Sequence, residues 1–293
     1  MSPSYKVENL FQVKGLVAVI TGGGSGLGAI AAHALADNGA KAVYILGRRV
    51  EALEKTKVAS PNPDIIYPIR CDVTSKEDLQ QAVDLVRKQS GYCNVLVANS
   101  GVAKAAIGPI DPSWDLSTLQ ERMWQPDVDQ FAETFRVNNA GAFYTAVAFM
   151  ELLDEGNKRG DISQKSQVIF TTSIAGYSRS PAAGFSYAAS KAGVTHMTKQ
   201  LATTFAPYKI RVNAIAPGFY PSEMTENMSF MKTGKNPREE GALPTSQVPL
   251  QRIGTEEDFA GVILFLTSAA GGYIDGNVVV TDGGRISTLP NSY

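Results

Sequence analysis

Of 293 residues only two are cysteines, Cys71 and Cys93, and only two are histidines, His33 and His196. Neither pair has the spacing of a metal-ligand set, so a thiol–imidazole metal centre and a disulfide-stapled scaffold are both excluded as readings. The cysteines flank β-branched runs and read as reduced, small apolar residues. The histidines fall in helical stretches with no hydroxyl or carboxylate partner in a motif, and read as packed or surface residues. An excess of charge is also lacking. There are 27 Lys and Arg against 28 Asp and Glu, a net −1, which argues against a nucleic-acid surface or a polybasic membrane anchor. Long apolar runs are missing too. The longest, AFYTAVAFM at 142–150, is far short of the ~18 residues that a membrane span requires. No apolar stretch of signal-peptide length follows Lys6, so the expected location is cytoplasmic.

What is present is a composition 44% hydrophobic and 19% charged, enough to build a sizeable core. Short apolar, β-branched runs recur at 16–20, 42–46, 65–71, 94–99, 167–172, 210–216 and 277–284, the third weakened by Pro68. Helical patterns separate them at 26–38, 75–90, about 128–154, 186–206 and 255–267. Strands apolar throughout and alternating with helices predict an α/β fold: a doubly wound parallel sheet of about seven strands with helices on both faces. No linker or repeat divides the chain, and one domain spanning 1–293 is expected. Two segments, 103–129 and 221–249, are long for loops and read as insertions at the substrate side. The second carries Met224, Met228, Met231 and Phe230 at helix-like spacing, as in a mobile apolar flap.

The turn Thr21-Gly22-Gly23-Gly24-Ser25-Gly26-Leu27-Gly28 joins the first strand to the first helix. Glycines there let the backbone approach a pyrophosphate, and the helix offers it unpaired N–H groups. Tight turns use glycine too, so the position between strand and helix carries the reading. The second strand ends Leu46-Gly47-Arg48-Arg49, with no acid until Glu51. A carboxylate there would hold a ribose diol; an arginine pairs with a 2′-phosphate. Arg48 therefore points to NADP(H) rather than NAD(H), against the plainer reading of two solvated arginines at a helix start. Asp72-Val73 suits the adenine edge, while Asp72 or Thr74 would also serve as a helix cap. Asn99-Ser100-Gly101 ends the fourth strand, where Gly101 permits close backbone approach.

Tyr187 and Lys191 stand at i and i+4 on one helix face. A tyrosine of pKa ~10 is a poor acid or base at neutral pH, and a lysine cation beside it is expected to lower that value. Such a pair alone is commonplace. Ser173, fourteen residues before Tyr187 at the end of the fifth strand, adds a hydroxyl able to orient a carbonyl oxygen. Asn138, inside the long helical stretch, is placed to disturb the helix ladder and hold a water against Lys191.

Taken together, Thr-Gly-x-x-x-Gly-x-Gly at 21–28, Asp72-Val73, Asn99-Ser100-Gly101, Asn138, Ser173, Tyr187-x-x-x-Lys191 and Pro217-Gly218 resemble the short-chain dehydrogenase/reductase family over residues 12–285. The resemblance implies a Rossmann-type fold and a nicotinamide cofactor. It implies that Tyr187 is the general acid or base and that Lys191 lowers its pKa and holds the nicotinamide ribose. Ser173 would then orient the substrate oxygen and Asn138 hold the relay water. It further implies cofactor contacts at Gly22, Gly24, Ser25, Gly26, Leu27, Gly28, Arg48, Asp72, Val73, Asn99 and Gly101, and on the nicotinamide side at Pro217, Gly218, Phe219, Tyr220 and Ser222. The family's usual Asn-Asn-Ala-Gly is Ala98-Asn99-Ser100-Gly101 here, one small residue for another. The stretches 213–225 and 249–254 resemble 3-oxoacyl reductases, including rhamnolipid-pathway members.

These residues lead to an NADP(H)-dependent ketone reductase. Phe219, Tyr220, Met224, Met228, Phe230 and Met231 suit a bulky aromatic or polyketide ketone, whereas Lys232, Lys235 and Arg238 suit a carrier-borne 3-oxoacyl thioester. A non-catalytic NADP(H)-binding scaffold is the rival from another class, and it has no need of Tyr187, Lys191, Ser173 and Asn138 together. A homodimer or homotetramer is expected through Phe143, Val147, Phe149, Val194, Met197 and Leu201, with no nucleic-acid or membrane partner.

Overall fold

The computed structural model of the chain describes residues 5–108, 110–226, 228 and 234–293. Seven strands are hydrogen-bonded in the order β3-β2-β1-β4-β5-β6-β7: β1 Val17–Thr21, β2 Ala42–Gly47, β3 Ile66–Arg70, β4 Val95–Ala98, β5 Gln167–Thr171, β6 Arg211–Pro217 and β7 Val278–Thr281. Every pairing is parallel, so the carboxyl ends of all the strands lie along one edge. The order reverses between β1 and β4, where such a sheet opens a crevice. Pro68 is tolerated because β3 is an outer strand with one neighbour, β2.

The helices are α1 Val7–Leu10, α2 Gly26–Asp37, α3 Val50–Ala59, α4 Lys76–Gln89, α5 Leu116–Trp124, α6 Val128–Phe135, α7 Ala142–Ala148, α8 Met150–Arg159, α9 Phe185–Phe205 and α10 Glu256–Thr267. Period-2 alternation sends Val17 and Val19 of β1 into one apolar cluster and Ala18 and Ile20 into another. The first, with Phe149, Leu153, Val194 and Phe205, lies under α7–α9. The second, with Leu35, Phe259, Ile263 and Leu266, lies under α2 and α10. Burial of strands on both faces explains their apolar runs.

Several expectations are corrected. The stretch 128–154 is not one helix: α6 passes into a π-turn at Arg136–Gly141, α7 follows, and Phe149 breaks it from α8. The segment 103–129 contains helix α5, none of whose residues is buried. The cap of α4 is neither Asp72 nor Thr74 but Ser75, whose hydroxyl accepts from the Asp78 N–H at 3.1 Å. Asp72 instead accepts from the Thr74 N–H and hydroxyl at 2.9 and 2.8 Å. Phe149, Val194 and Leu201, expected at an interface between copies, are buried in the core, while Phe143 and Val147 remain exposed. Cys71 and Cys93 are buried free thiols, and burial pushes each up to about 12. His33 is packed, with its Nε2 2.7 Å from the Thr56 carbonyl, and His196 lies at the surface. Among the described residues no helix is long and apolar enough to cross a membrane.

Candidate active site

The turn after β1 is built so tightly that side chains have no place in it. Gly22 has φ +67, and a Cβ there would stand 3.0 Å from the Asn99 amide. A Cβ on Gly28 would collide with the Gly22 carbonyl. Asn99 donates its amide to the carbonyls of Thr21 and Gly22, at 3.2 and 3.4 Å. The Thr21 hydroxyl accepts from the N–H groups of Asn99 and Ser100, at 3.0 and 3.1 Å. Asn99 thus braces the cradle with its side chain. Ser25 caps α2 without a side-chain hydrogen bond to the helix, which leaves the first-turn N–H groups facing the crevice. These backbones fit a pyrophosphate. Gly24 packs on α3, its Cβ position 3.1 Å from that of Ala52, and the Leu27 side chain packs on the core. Leu27 therefore offers a ligand its backbone alone.

The two arginines after β2 divide their work. Arg49 Nη2 donates to both carboxylate oxygens of Glu223, at 2.8 and 3.0 Å, and reaches Ser25 Oγ at 3.4 Å. Arg48, exposed, faces the crevice end at Asp72. Burial alone would raise the Asp72 carboxyl. The hydrogen bonds from Thr74, with Arg48 and Arg136 nearby, outweigh it and hold the group below the usual carboxylate range. Arg49 and Glu223 join the ends of two distant strands across the glycine turn. No pattern along the chain signals that pairing of residues so far apart.

Val73 is buried, and a Cβ on Gly141 would meet its Cγ2 at 2.8 Å, so Val73 presents backbone to the adenine side. Gly218 is pressed on Asp282 in the same way, at 2.7 Å, and its N–H donates to the Thr281 carbonyl at 2.9 Å. The residues expected on the nicotinamide side differ in how their side chains pack. The Tyr220 ring turns into the core, edge-on to Phe259 at 5.7 Å, with its hydroxyl on Thr281. The Phe219 ring packs with Leu243, Val248 and Ile253, under the Arg285 guanidinium 4.2 Å from its centroid. Ser222 lies against the cradle, its Cβ 3.3 Å from the Cβ position of Gly26.

Asn138, Ser173, Tyr187 and Lys191 do converge. Lys191 is 4% exposed, and its Nζ donates to the Thr171 carbonyl at 2.7 Å. A Cβ on Gly101 would stand 3.3 Å from both Lys191 Nζ and Asn138 Oδ1. The Asn138 amide is already engaged: Oδ1 accepts from the Val102 N–H at 2.8 Å, and Nδ2 donates to the Val102 carbonyl and Ser190 Oγ, each at 2.9 Å. Its side chain therefore locks the loop after β4 to α9. Thr171 and Val102 were invisible as partners in the sequence because their backbone groups play the part, and Ser190 because it stands at a variable position between Tyr187 and Lys191.

The phenol of Tyr187 lies beside the Ser173 hydroxyl, and Lys191 Nζ lies 5.7 Å from its ring centroid. Burial raises the phenol above its ordinary value, and the Ser173 hydroxyl offsets only part of that. Burial also brings Lys191 down to about 8. The expected lowering of the phenol by Lys191 is not met in this arrangement, because the ammonium is turned to the Thr171 carbonyl. A phenol kept protonated beside a carbonyl-orienting hydroxyl is equipped to give a proton.

Of the flap residues, Met224 and Met228 are exposed, while Phe230, Met231 and Lys232 lie outside the described residues. Lys235 is exposed, and Arg238 is engaged with Glu256, at 3.0 and 2.6 Å.

Residues 22–285 match the family model described as enoyl-(acyl carrier protein) reductase. The chain is 47% identical over 293 residues to the short-chain dehydrogenase/reductase PhomF of Diaporthe leptostromiformis, covering 100% of this chain and 99% of that protein. It is 35% identical over 269 residues to a granaticin polyketide synthase putative ketoacyl reductase of Streptomyces violaceoruber, covering 92% and 95%. The Pseudomonas aeruginosa RhlG/NADP active-site complex superimposes with a TM-score of 0.76 at 26% identity, over 94% of this chain and 98% of that one.

Proposed function

The chain belongs to the short-chain dehydrogenase/reductase family, and from that premise we propose that it is an NADP(H)-dependent reductase of a ketone, built as one domain. The observation that carries the reading is the convergence of Ser173, Tyr187 and Lys191, the last one helical turn on from Tyr187, at the sheet edge beside the glycine cradle. A bound nicotinamide supplies the hydride. Ser173 orients the carbonyl oxygen, and Tyr187 delivers the proton to it as charge develops. Lys191 holds the ribose side and its cation steadies the phenolate left behind. Gly22, Gly24, Ser25, Gly26, Leu27 and Gly28 take the pyrophosphate, mainly through backbone N–H groups. Asp72, Val73, Asn99 and Gly101 border the adenosine side, and Pro217, Gly218, Phe219, Tyr220 and Ser222 the nicotinamide side.

Arg48, exposed after β2 and near Asp72, is the residue suited to a 2′-phosphate, which supports NADP(H) over NAD(H), while Arg49 is engaged with Glu223. Calorimetric titration is expected to give tighter NADPH than NADH binding. Arg48→Ala should narrow the gap by about tenfold, the scale of one charge-assisted hydrogen bond; equal or tighter NADH binding by the parent chain overturns the preference.

Tyr187→Phe tests the chemistry. It should bind NADPH as the parent chain does and turn over 10²- to 10⁴-fold more slowly, roughly the worth of a positioned acid. Ketone reduction at the parent rate would refute the assignment. The substrate is a secondary-metabolite or 3-oxoacyl-type ketone. Similarity to a polyketide synthase ketoacyl reductase, with exposed Met224 and Met228 at the flap, favours a bulky aromatic or polyketide ketone. A panel of short 3-oxoacyl thioesters and aromatic ketones separates these alternatives, and NADPH consumption with either class disposes of the non-catalytic scaffold. Such a reductase would work in the cytosol as a dimer or tetramer.

A further inference from the structure

Residues Leu289–Tyr293 lie along the loop that joins Ser173 to Tyr187. The Ser292 N–H and Oγ both donate to the Tyr177 carbonyl, at 2.9 and 3.2 Å. The Arg179 N–H donates to the Pro290 carbonyl at 2.7 Å. Ser178 and Asn291 form an antiparallel bridge. The rings of Tyr177 and Tyr293 meet edge to face, with centroids 5.1 Å apart and planes at 80°. Asn291 stiffens the segment by donating its amide to the carbonyls of Ile286 and Leu289, each at 2.8 Å.

The other side of the loop is held as closely by α9. A Cβ on Gly176 would stand 2.8 Å from the Ala192 nitrogen and from the Lys191 carbonyl carbon. The Tyr177 hydroxyl lies on the side of Thr195. Thr195 Oγ1 meets Thr172 Oγ1 at 2.8 Å, and Thr172 Oγ1 donates to the Lys191 carbonyl at 2.8 Å. The loop is therefore a layer between the helix that carries Tyr187 and Lys191 and the segment that ends in Tyr293. Ser173 is fixed by the first turn of this same loop, since its Oγ accepts from the Ala175 N–H at 3.1 Å.

We propose that Tyr177 and Tyr293 are positioning residues, and that residues 289–293 clamp the loop so that the Ser173 hydroxyl stays at the Tyr187 phenol. The proposal rests on the reductase reading. Connecting loops are ordinarily the mobile part of such a fold. A reacting geometry that depends on one hydroxyl loses rate when its carrier loosens, even with every reacting group in place. Neither tyrosine touches the substrate oxygen, so the clamp acts through Ser173.

The test uses the full chain with Tyr293→Ala, Tyr293→Phe and Tyr177→Phe. Hydrogen exchange of the backbone amides of residues 175–179 reads the clamp without any substrate. Tyr293→Ala should speed that exchange by about two- to tenfold, the worth of an aromatic pair, while Tyr293→Phe keeps the parent rate. Tyr177→Phe, which keeps the ring and loses the hydroxyl beside Thr195, should also speed it. With the ketone that the panel identifies, kcat should fall by a similar factor in Tyr293→Ala and Tyr177→Phe, with NADPH Kd unchanged and kcat restored in Tyr293→Phe. Unchanged exchange in Tyr293→Ala overturns the clamp, and faster exchange with an unaltered kcat overturns its role in positioning. If the parent chain reduces no ketone of the panel, the reductase reading falls by itself, and the exchange comparison still decides the clamp.

Discussion

At Lys191 the requirements of folding and of chemistry oppose each other. Its ammonium is 4% exposed, and burial holds it at about 8, against an ordinary 10.5. At ~1.4 kcal/mol per pH unit that gap is about 3 kcal/mol of native stability forgone. Below pH 8 both the folded and the unfolded chain carry the proton, and the folded state bears the whole cost. Between 8 and 10.5 the folded chain is neutral while the unfolded one is still charged, so the unfolded state binds more protons and stability climbs with pH. Lys191→Met removes the charge and leaves the Thr171 carbonyl without its donor, which costs about 1–3 kcal/mol. The variant should therefore be more stable than the parent by about 1 kcal/mol at pH 7 and lose that advantage by pH 10, while its turnover collapses. Urea unfolding at the two pH values checks this. A variant less stable at pH 7 than at pH 10, relative to the parent, contradicts the account.

Glycines make the corresponding contrast among elements. In the β1–α2 turn, a Cβ on Gly28 has nowhere to go but into the Gly22 carbonyl, whereas a Cβ on Gly261, in the middle of α10, meets nothing within 4 Å. Gly28→Ala should weaken NADPH binding at least about tenfold, since the turn must open to accommodate it. Gly261→Ala should stabilise the chain by about 0.5–1 kcal/mol, the gain of alanine over glycine inside a helix. Calorimetric titration and thermal unfolding read the two effects, and equal effects on both measurements would show that turn geometry is not what Gly28 supplies. The turn was legible in the sequence because an apolar strand, a glycine run and an alanine-rich helix follow one another directly. The seven strands were legible for a related reason: burial on both faces removes polar residues from them. The break in 128–154 was legible only at Asn138, a residue able to disturb a helix ladder. The apolar pattern continues through it, and the partners of Asn138, Val102 and Ser190, arrive from distant parts of the chain. Helix α3 escaped notice because few of its residues face the core, with Leu53 and Thr56 alone buried. The packing of the Phe219 and Tyr220 side chains was hidden for a reason of the same kind, since their partners come from α10, β7 and the 243–253 loop.

For the whole molecule, the question is what covers the outer face of α5–α7. Leu116 is 80% exposed, Trp124 83% and Val128 80%, and Phe131, Phe143, Tyr144 and Val147 are also exposed. Isolated apolar residues at a surface need no explanation, but a run of them along consecutive helices exceeds what a lone chain ordinarily presents to water. With a net charge of −1, there is little long-range repulsion to keep copies apart. Association is therefore expected, but through residues other than Phe149, Val194 and Leu201, which the core has already taken. Light scattering should give a mass that is a multiple of 31.3 kDa. Phe143→Glu together with Val147→Glu should shift it toward a single chain, because each places a charge where an apolar contact would lie and neither disturbs a buried residue. Thermal unfolding of that double variant separates dissociation from misfolding: a cooperative transition at monomer mass supports the face as an interface, and an unchanged oligomer mass assigns the interface elsewhere.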